Sequence, residues 1–248
     1  MSSQFGKKRK TVFITGGAAG IGRTICLKFA QNNWDVLCHF FSAREQALDL
    51  QKSVNSMGKE CELIQADLSA GEQIQYLLRD IEGHRIDALI NNAGSYIVQK
   101  HFRELTYKEL ENSFALNTFA PILLSSFVFE RMKKNGFGRI VNISSIAAKY
   151  GGSANSLHYG CAKRALEGLG KTLAREGAAY NILVNTIRPG VIDTDFHKKY
   201  SKNMEARIAL IPLKRMGLAE DIAEIAYFLC SEKNTYITNE IIAVSGGE

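Results

Sequence analysis

The sequence predicts an α/β protein in which a parallel sheet of seven strands is covered by helices on both faces. Short β-branched and aromatic runs alternate with amphipathic segments along the whole chain, and a glycine-rich turn follows the first run. No shift in composition and no internal repeat divides the 248 residues, of which 46% are hydrophobic. We therefore expect one domain at residues 11–248 behind a flexible basic leader at residues 1–10.

The first predicted strand, Thr11–Thr15, is followed by Gly16-Gly17-Ala18-Ala19-Gly20-Ile21-Gly22 and then by a helix at 23–32. Glycines let the backbone turn sharply and approach a phosphate, and the start of the helix offers free N–H groups and a positive dipole end. This order of elements indicates a pyrophosphate site. The alternative is a turn that only allows close packing of helix and strand.

The second predicted strand, at 35–41, ends without an acidic residue, in Cys38-His39-Phe40-Phe41-Ser42-Ala43-Arg44. A carboxylate at this place would hold the ribose 2′-hydroxyl of NAD. Ser42 and Arg44 have the chemistry to hold a 2′-phosphate instead, which favours NADP(H) over NAD(H). Arg44 is also compatible with a solvated first turn of the helix predicted at 43–57.

The remaining strands are predicted at 60–65, 87–90, 139–143, 182–187 and 240–244, and the remaining helices at 70–82, 106–134, 157–180 and 219–231. Polar or small residues follow these strands at their carboxyl ends, where open α/β sheets bind ligands: Asp67, Asn91-Asn92-Ala93-Gly94, Ser144-Ser145 and Pro189-Gly190. The polar, weakly periodic segment at 195–216 is predicted to be a lid over that edge.

Tyr159 and Lys163 are four residues apart on a predicted helix, so they share one face. A free tyrosine hydroxyl has a pKa of about 10, and a neighbouring ammonium lowers that pKa toward neutrality. A solvated helix face is the plainer interpretation of this spacing alone. The glycine-rich turn, Ser145 at a strand end and Asn117 inside an apolar helix together favour a general acid.

These motifs resemble those of the classical short-chain dehydrogenase/reductase family, and the pattern is most similar to its 3-oxoacyl-acyl-carrier-protein reductase branch. The matches run in family order over nearly the whole chain: Thr15-Gly16-x-x-x-Gly20-x-Gly22, Asp67, Asn91-Asn92-Ala93-Gly94, Asn117, Ser145, Tyr159-x-x-x-Lys163, Pro189-Gly190, Thr194, Gly217-x-x-Glu220-Asp221-Ile222-Ala223 and Ser245-Gly246-Gly247. The resemblance implies a Rossmann-type fold and an NAD(P)-dependent oxidoreductase.

The resemblance also implies roles for the catalytic residues. Tyr159 would protonate the substrate carbonyl oxygen, and Ser145 would hydrogen-bond the same oxygen. Lys163 would hold the ribose hydroxyls and lower the pKa of Tyr159, while Asn117 would keep a water between Lys163 and bulk solvent. Ser144 is the neighbouring candidate for the serine role, and we favour Ser145 because it ends the strand run.

The cofactor would contact Tyr159, Lys163 and residues contributed by most of the strand ends. These further residues are Gly16, Ala19, Gly20, Ile21, Gly22, Phe41, Ser42, Arg44, Asp67, Leu68, Asn92, Ala93, Gly94, Pro189, Gly190, Ile192 and Thr194. The family also suggests a homo-tetramer or dimer in the cytoplasm.

The expected reaction is the NADP(H)-dependent reduction of a ketone, either a 3-oxoacyl thioester or a related carbonyl compound. Two departures from the branch weigh against an acyl carrier protein as partner and against NADP(H). Tyr180-Asn181 stand where these reductases often carry an arginine, and Ala19 stands where they often carry a basic residue. The alternatives are an NAD-dependent dehydrogenase of a sugar, polyol or other alcohol, and a non-catalytic dinucleotide-binding regulator.

Composition and charge argue against several other classes of protein. The net charge is +6, and we interpret the basic cluster Lys7-Lys8-Arg9-Lys10 as a solvated leader rather than a nucleic-acid contact. We expect no metal site, no secretory signal and no apolar run of the roughly 20 residues that span a membrane. The five scattered cysteines are expected to be buried free thiols.

Overall fold

The computed structural model describes residues 9–195 and 203–248. Seven parallel strands form one sheet in the order β3-β2-β1-β4-β5-β6-β7. They are β1 (Thr11–Ile14), β2 (Asp35–Phe40), β3 (Cys61–Gln65), β4 (Ala88–Asn91), β5 (Gly138–Ile143), β6 (Ile182–Pro189) and β7 (Ile241–Val244). The predicted doubly wound sheet is confirmed, and the predicted strand ends differ from the observed ones by no more than two residues.

Nine α-helices in the described part of the chain connect the strands and extend the lid segment. They are α1 (Gly20–Gln31), α2 (Arg44–Ser56), α3 (Gly71–Asp80), α4 (Tyr107–Phe114), α5 (Ala120–Asn135), α6 (Ala147–Tyr150), α7 (Leu157–Gly177), α8 (Met204–Ala209) and α9 (Ala219–Cys230). A π-helical turn, Ala115–Phe119, joins α4 to α5, and short 3₁₀ turns lie at Phe102–Glu104 and Ala178–Tyr180. Neither α6 nor α8 was predicted from the sequence.

Two predictions fall partly outside the described residues. Of the predicted leader at 1–10, only residues 9 and 10 are described, and Arg9 forms an ion pair with Asp35 at the start of β2. Of the predicted lid at 195–216, residues 196–202 lie outside the described part, and α8 forms part of the remainder.

Apolar side chains leave the sheet on both faces, as expected for a parallel sheet that is covered twice. In β1, Val12 and Ile14 enter a core cluster with residues of α1 and α9. Phe13 points the other way, into a cluster with residues of α3 and α5. Because side chains alternate along a strand, three consecutive residues of β1 connect both halves of the core.

The order of the strands shows at which point of the sheet a ligand can bind. β1 pairs with β2 on one side and with β4 on the other, so the order along the chain reverses between β1 and β4. Ligands of open α/β sheets bind in the crevice beyond the carboxyl ends of the strands at such a switch point. The glycine-rich turn after β1 and the segment Asn92–Gly94 after β4 both lie there.

The helical segment from Tyr107 to Asn135 is long and apolar enough to cross a membrane by length and composition, with a mean hydropathy of 1.3 in its most apolar window. It was not predicted from the sequence as a possible membrane span. Half of that window is buried, and Leu124, Val128 and Met132 lie in the core cluster under the sheet. This packing identifies the segment as a core helix of the fold.

All five cysteines lie in the described part of the chain and are free thiols. Cys26, Cys38, Cys61 and Cys230 are buried, as predicted. Cys161 is exposed, so the prediction is wrong at this position. It stands between Tyr159 and Lys163 on α7 and faces away from the side of the helix that those two residues bury.

Candidate active site

The turn after β1 is built from glycines, which are required either by the backbone angles or by close packing. Gly16 and Gly20 have φ values of +63° and +52°, which glycine adopts without strain. A Cβ atom on Gly22 would lie 2.1 Å from the Gly16 carbonyl oxygen and 2.6 Å from Nδ2 of Asn92. The start of α1 is therefore packed directly against the turn, where its N–H groups can reach a ligand.

Residues after β4 fasten this turn to the neighbouring strand. Thr15 Oγ1 accepts hydrogen bonds from the backbone N–H groups of Asn92 and Ala93, both at 3.0 Å. The Asn92 side-chain amide donates to the carbonyl oxygens of Thr15 and Gly16, at 2.9 and 3.1 Å. The protein thus fixes the shape of the turn through its own hydrogen bonds.

His39, near the end of β2, also holds the turn, a role that was not predicted from the sequence. Its Nδ1 accepts a hydrogen bond from the Gly16 N–H at 3.1 Å, and its Nε2 donates to the Ala66 carbonyl oxygen at 3.0 Å. The acceptor role of Nδ1 requires a neutral ring, and burial lowers the pKa of His39 to about 4. A histidine inside an otherwise apolar predicted strand is the sequence feature that could have indicated this role.

Tyr159 and Lys163 lie on α7 with side chains that are almost completely buried, which excludes the interpretation of a solvated helix face. The Lys163 Nζ lies 5.8 Å from the centroid of the Tyr159 ring. It donates to the Ile143 carbonyl oxygen at 2.9 Å. Burial lowers the pKa of Lys163 to about 8, so at neutral pH the amine is mostly protonated.

The structure separates the two candidate serines. Ser144 is buried, and its Oγ donates to Glu167 Oε1 at 2.9 Å. Ser145 is half-buried, and its Oγ accepts a hydrogen bond from the Ala147 N–H at 3.1 Å, which leaves its O–H able to donate. This geometry favours Ser145 as the serine that faces a substrate.

Asn117 is buried in the π-helical turn between α4 and α5, a type of turn that is frequent at functional sites. Its Nδ2 donates to the carbonyl oxygens of Ser95 and Ser113, both at 2.9 Å, and its Oδ1 accepts from the Ser95 N–H at 3.3 Å. A Cβ on Gly94 would lie 2.7 Å from Lys163 Nζ and 2.9 Å from Asn117 Oδ1. Asn117 and Lys163 therefore meet around Gly94.

Ser145, Tyr159 and Lys163 line a single cavity of about 1200 Å³. Most residues predicted to hold the cofactor line the same cavity: Gly16, Ala19, Gly20, Ile21, Gly22, Ser42, Asn92, Ala93, Gly94, Pro189, Gly190, Ile192 and Thr194. The turn after β1, the end of β5 and the start of α7 thus share one site.

Five predicted site residues do not lie on the cavity wall: Phe41, Arg44, Asp67, Leu68 and Asn117. The Asp67 carboxylate accepts hydrogen bonds from the Ser69 N–H and Oγ, at 2.8 and 2.7 Å, and so caps its own loop. Leu68 is buried, whereas Phe41 and Arg44 are exposed beside the cavity. Their contacts with a cofactor remain predictions.

The residues present fit a nicotinamide dinucleotide. Buried ammonium groups need acceptors, and among the described residues Lys163 Nζ uses one of its three N–H donors, toward Ile143. Ribose hydroxyls match the other two. Pockets for drug-sized ligands measure about 300–1000 Å³, so the larger cavity here has room for a dinucleotide beside a small substrate. Within residues 9–195 and 203–248, no cluster of side chains could hold a metal ion.

Comparison with known proteins identifies the protein family. A family model described as enoyl-(acyl carrier protein) reductase matches residues 16–248. The 3-oxoacyl-[acyl-carrier-protein] reductase FabG of Aquifex aeolicus (strain VF5) is 33% identical over 241 residues, covering 96% of each chain. The chain belongs to the short-chain dehydrogenase/reductase family, in the branch of these reductases, and is an NAD(P)-dependent oxidoreductase.

Solved structures agree with the fold. A blue fluorescent protein from a metagenomic library, in complex with NADPH, superposes with a TM-score of 0.89 at 31% identity and covers 96% of this chain and 97% of its own. An acetoin dehydrogenase from Enterobacter cloacae gives a TM-score of 0.86 at 32% identity, with coverage of 96% and 94%. The predicted Rossmann-type fold and family are confirmed.

Proposed function

We propose that the protein reduces a ketone to a secondary alcohol with NADPH, with Tyr159 as the general acid. The observation that carries this proposal is the shared cavity. Tyr159, Lys163 and Ser145 line the same space as the glycine-rich turn, so a dinucleotide on the turn and a carbonyl group near Tyr159 can be bound together.

Bound NADPH would supply the hydride that the carbonyl carbon receives. Negative charge then develops on the carbonyl oxygen, where the Tyr159 O–H donates its proton and the Ser145 O–H donates a hydrogen bond. Donors fixed before the reaction stabilise the transition state more than the ground state. Loss of one such donor costs about 10²–10³ in rate.

Lys163 supports both halves of the site. Its ammonium favours the ionised form of the neighbouring Tyr159 phenol, which assists proton release. Its remaining N–H donors would hold the ribose hydroxyls. Asn117 meets Lys163 around Gly94, a placement that suits the predicted role of keeping a water between Lys163 and solvent.

Preference for NADP(H) over NAD(H) is part of the proposal. β2 ends without the carboxylate that would hold the 2′-hydroxyl of NAD, Ser42 lines the cavity, and Arg44 stands exposed at the start of α2. An NADPH complex among the similar structures supports the same preference. We further propose a single-domain cytoplasmic enzyme, assembled as a homo-tetramer or dimer, with residues 195–216 as its lid.

The substrate class we favour is a 3-oxoacyl thioester or a related small ketone. The relatives named 3-oxoacyl-[acyl-carrier-protein] reductase support the thioester, and the acetoin dehydrogenases among the similar structures support small ketones. Tyr180 and Asn181 stand where the branch often carries the arginine that grips its carrier protein. We therefore favour a free thioester over one attached to a carrier protein.

A direct test follows NADPH oxidation at 340 nm with acetoacetyl-CoA, diacetyl and a keto-sugar acid, and repeats it with NADH. We expect turnover of at least one ketone, faster with NADPH. Tyr159→Phe should abolish turnover and leave the dissociation constant of NADPH within about threefold. Normal turnover by this variant, or no turnover of any ketone by the wild type, would overturn the proposal.

A further inference from the structure

The ring of Tyr96 packs edge-on against the ring of Tyr159. The centroids are 4.7 Å apart and the planes are inclined by 65°. Aromatic pairs in this geometry attract each other beyond what the buried area alone contributes. Tyr96 is 6% exposed and lines the same cavity, so its ring limits the orientations open to Tyr159.

The backbone beside Tyr96 is strained. Ile97 has a φ of +60°, which is a genuine outlier for a β-branched residue. The Val98 N–H donates to the Tyr96 carbonyl oxygen at 2.6 Å, which closes a γ-turn around Ile97. With a positive φ this is the rare, strained form of the turn, and such strain persists only where the surrounding structure imposes it.

Two buried side chains from other elements impose it here. The His158 Nε2 donates to the Tyr96 carbonyl oxygen at 2.7 Å from a fully buried position next to Tyr159 on α7. The Asn117 amide holds the preceding residue, Ser95, through both its N–H and its carbonyl group. The segment that carries Tyr96 is thus held to α7 and to the π-helical turn.

We propose that Tyr96 is a positioning residue for Tyr159, held in place by the strained turn at Ile97 and by His158. The proposal rests on the proposed function, because it concerns the acid of that reaction. Tyr96 acts on the orientation of the Tyr159 hydroxyl and so on the chemical step. A misplacement of about 1 Å in such a group can cost 10²-fold in rate.

The kinetic test uses Tyr96→Ala, Tyr96→Phe and Ile97→Gly with several ketones of different size. Tyr96→Ala should lower kcat by about 10- to 100-fold, by a similar factor for every ketone, with the dissociation constant of NADPH unchanged. Tyr96→Phe keeps the ring and should stay within about fivefold of the wild type. Ile97→Gly should lower kcat by about tenfold without lowering Tm, because it removes strain while freeing the loop.

The matched control is Asn33→Gly, which changes another positive-φ residue, at φ 67°, that follows the end of α1 and does not line the cavity. It should leave kcat unchanged. A loss confined to KM and different for each ketone would identify Tyr96 as a plain substrate contact and would overturn the proposal. Unchanged kcat in both Tyr96→Ala and Ile97→Gly would overturn it as well.

A spectroscopic test separates this proposal from the proposed function. In protein labelled with ¹³Cζ-tyrosine, the Tyr159 signal is assigned by its absence in Tyr159→Phe. We expect one narrow signal in the wild type and a shifted or broadened one in Tyr96→Ala and Ile97→Gly. If no ketone is turned over and this change is seen, the proposed function fails while the positioning role stands; an unchanged signal overturns the positioning role.

Discussion

A buried ion pair connects three of the chain segments that carry the site, and removing one of its partners tests how strongly these segments depend on it. Glu167 lies one turn after Lys163 on α7, with 3% of its side chain exposed. Its carboxylate accepts hydrogen bonds from Arg188 Nε and Nη2, both at 2.8 Å, and from Ser144 Oγ at 2.9 Å. Arg188 directly precedes Pro189 on the cavity wall.

The substitution Arg188→Met would leave the Glu167 carboxylate buried without its bidentate partner. Breaking a buried pair from one side costs about 3–5 kcal/mol. Arg164, although 65% exposed, still contacts Glu167 at 3.1 Å and offsets part of the lost charge, so we expect a loss near the lower limit, about 3 kcal/mol. In a chain of this size, about 2–4 °C of Tm corresponds to each kcal/mol, and Tm should fall by about 6–12 °C.

Urea unfolding followed by the fluorescence of Trp34, the single tryptophan, measures the free energy of unfolding of each variant. The double variant Glu167→Gln/Arg188→Met removes both charges and should recover at least half of the loss. The control is Arg215→Met, which breaks an exposed pair with Asp221 and should cost no more than about 1 kcal/mol. If Arg188→Met costs no more than this control, or if the double variant is as unstable as the single one, the reasoning is refuted.

Three further predictions concern the cofactor end of the site. As the pH falls from about 6.5 to 4, His39 takes up a proton in the unfolded chain but stays neutral when it is buried in the folded one. Acid therefore favours the unfolded state, and the free energy of unfolding should drop by about 3 kcal/mol over this range. In urea unfolding between pH 4.5 and 7, His39→Gln should lack this part of the slope, and an equal slope would contradict the assignment. The Lys163 amine loses its proton near pH 8, so the dissociation constant of NADPH should rise about tenfold from pH 7 to 10 in fluorescence titrations. Lys163→Met should bind more weakly with no such dependence. Gly22→Ala should weaken NADPH binding by more than about 100-fold, because the added Cβ would collide with the Gly16 carbonyl oxygen. The control is Gly168→Ala on α7, where the added Cβ meets open space. It should leave NADPH binding intact and raise the free energy of unfolding by up to about 1 kcal/mol. Equal NADPH affinity in the two alanine variants would count against the close packing of the turn.

The fold could be predicted from the sequence because each strand and each long helix has its own local residue pattern. Most strands contain a short apolar run, and most strand ends carry a small or polar residue, so the seven strands and the ligand-binding edge could be predicted from local pattern and turn residues. The two short helices α6 and α8 were missed because four and six residues give too little periodicity to detect. The π-helical turn at Asn117 has no separate pattern and reads as continuous helix.

The site could be predicted only in part, because some of its contacts join residues that have no local sequence pattern. Tyr159 and Lys163 are neighbours on one helix, and their spacing predicts a shared face. The contacts of His39 with the glycine-rich turn and of Glu167 with Arg188 join residues from distant parts of the chain, and neither has a local pattern. The strained backbone at Ile97 is equally invisible in the sequence, because nothing about isoleucine predicts a positive φ.

The exposed thiol of Cys161 makes the outer face of α7 measurable in solution. This cysteine stands on the same helix as Tyr159, and the other four are buried, so a maleimide probe added to the folded chain would label one position. If copies of the chain associate through α7, labelling slows as protein concentration rises. The cysteine pattern therefore provides an intrinsic reporter for assembly that requires no engineered residue.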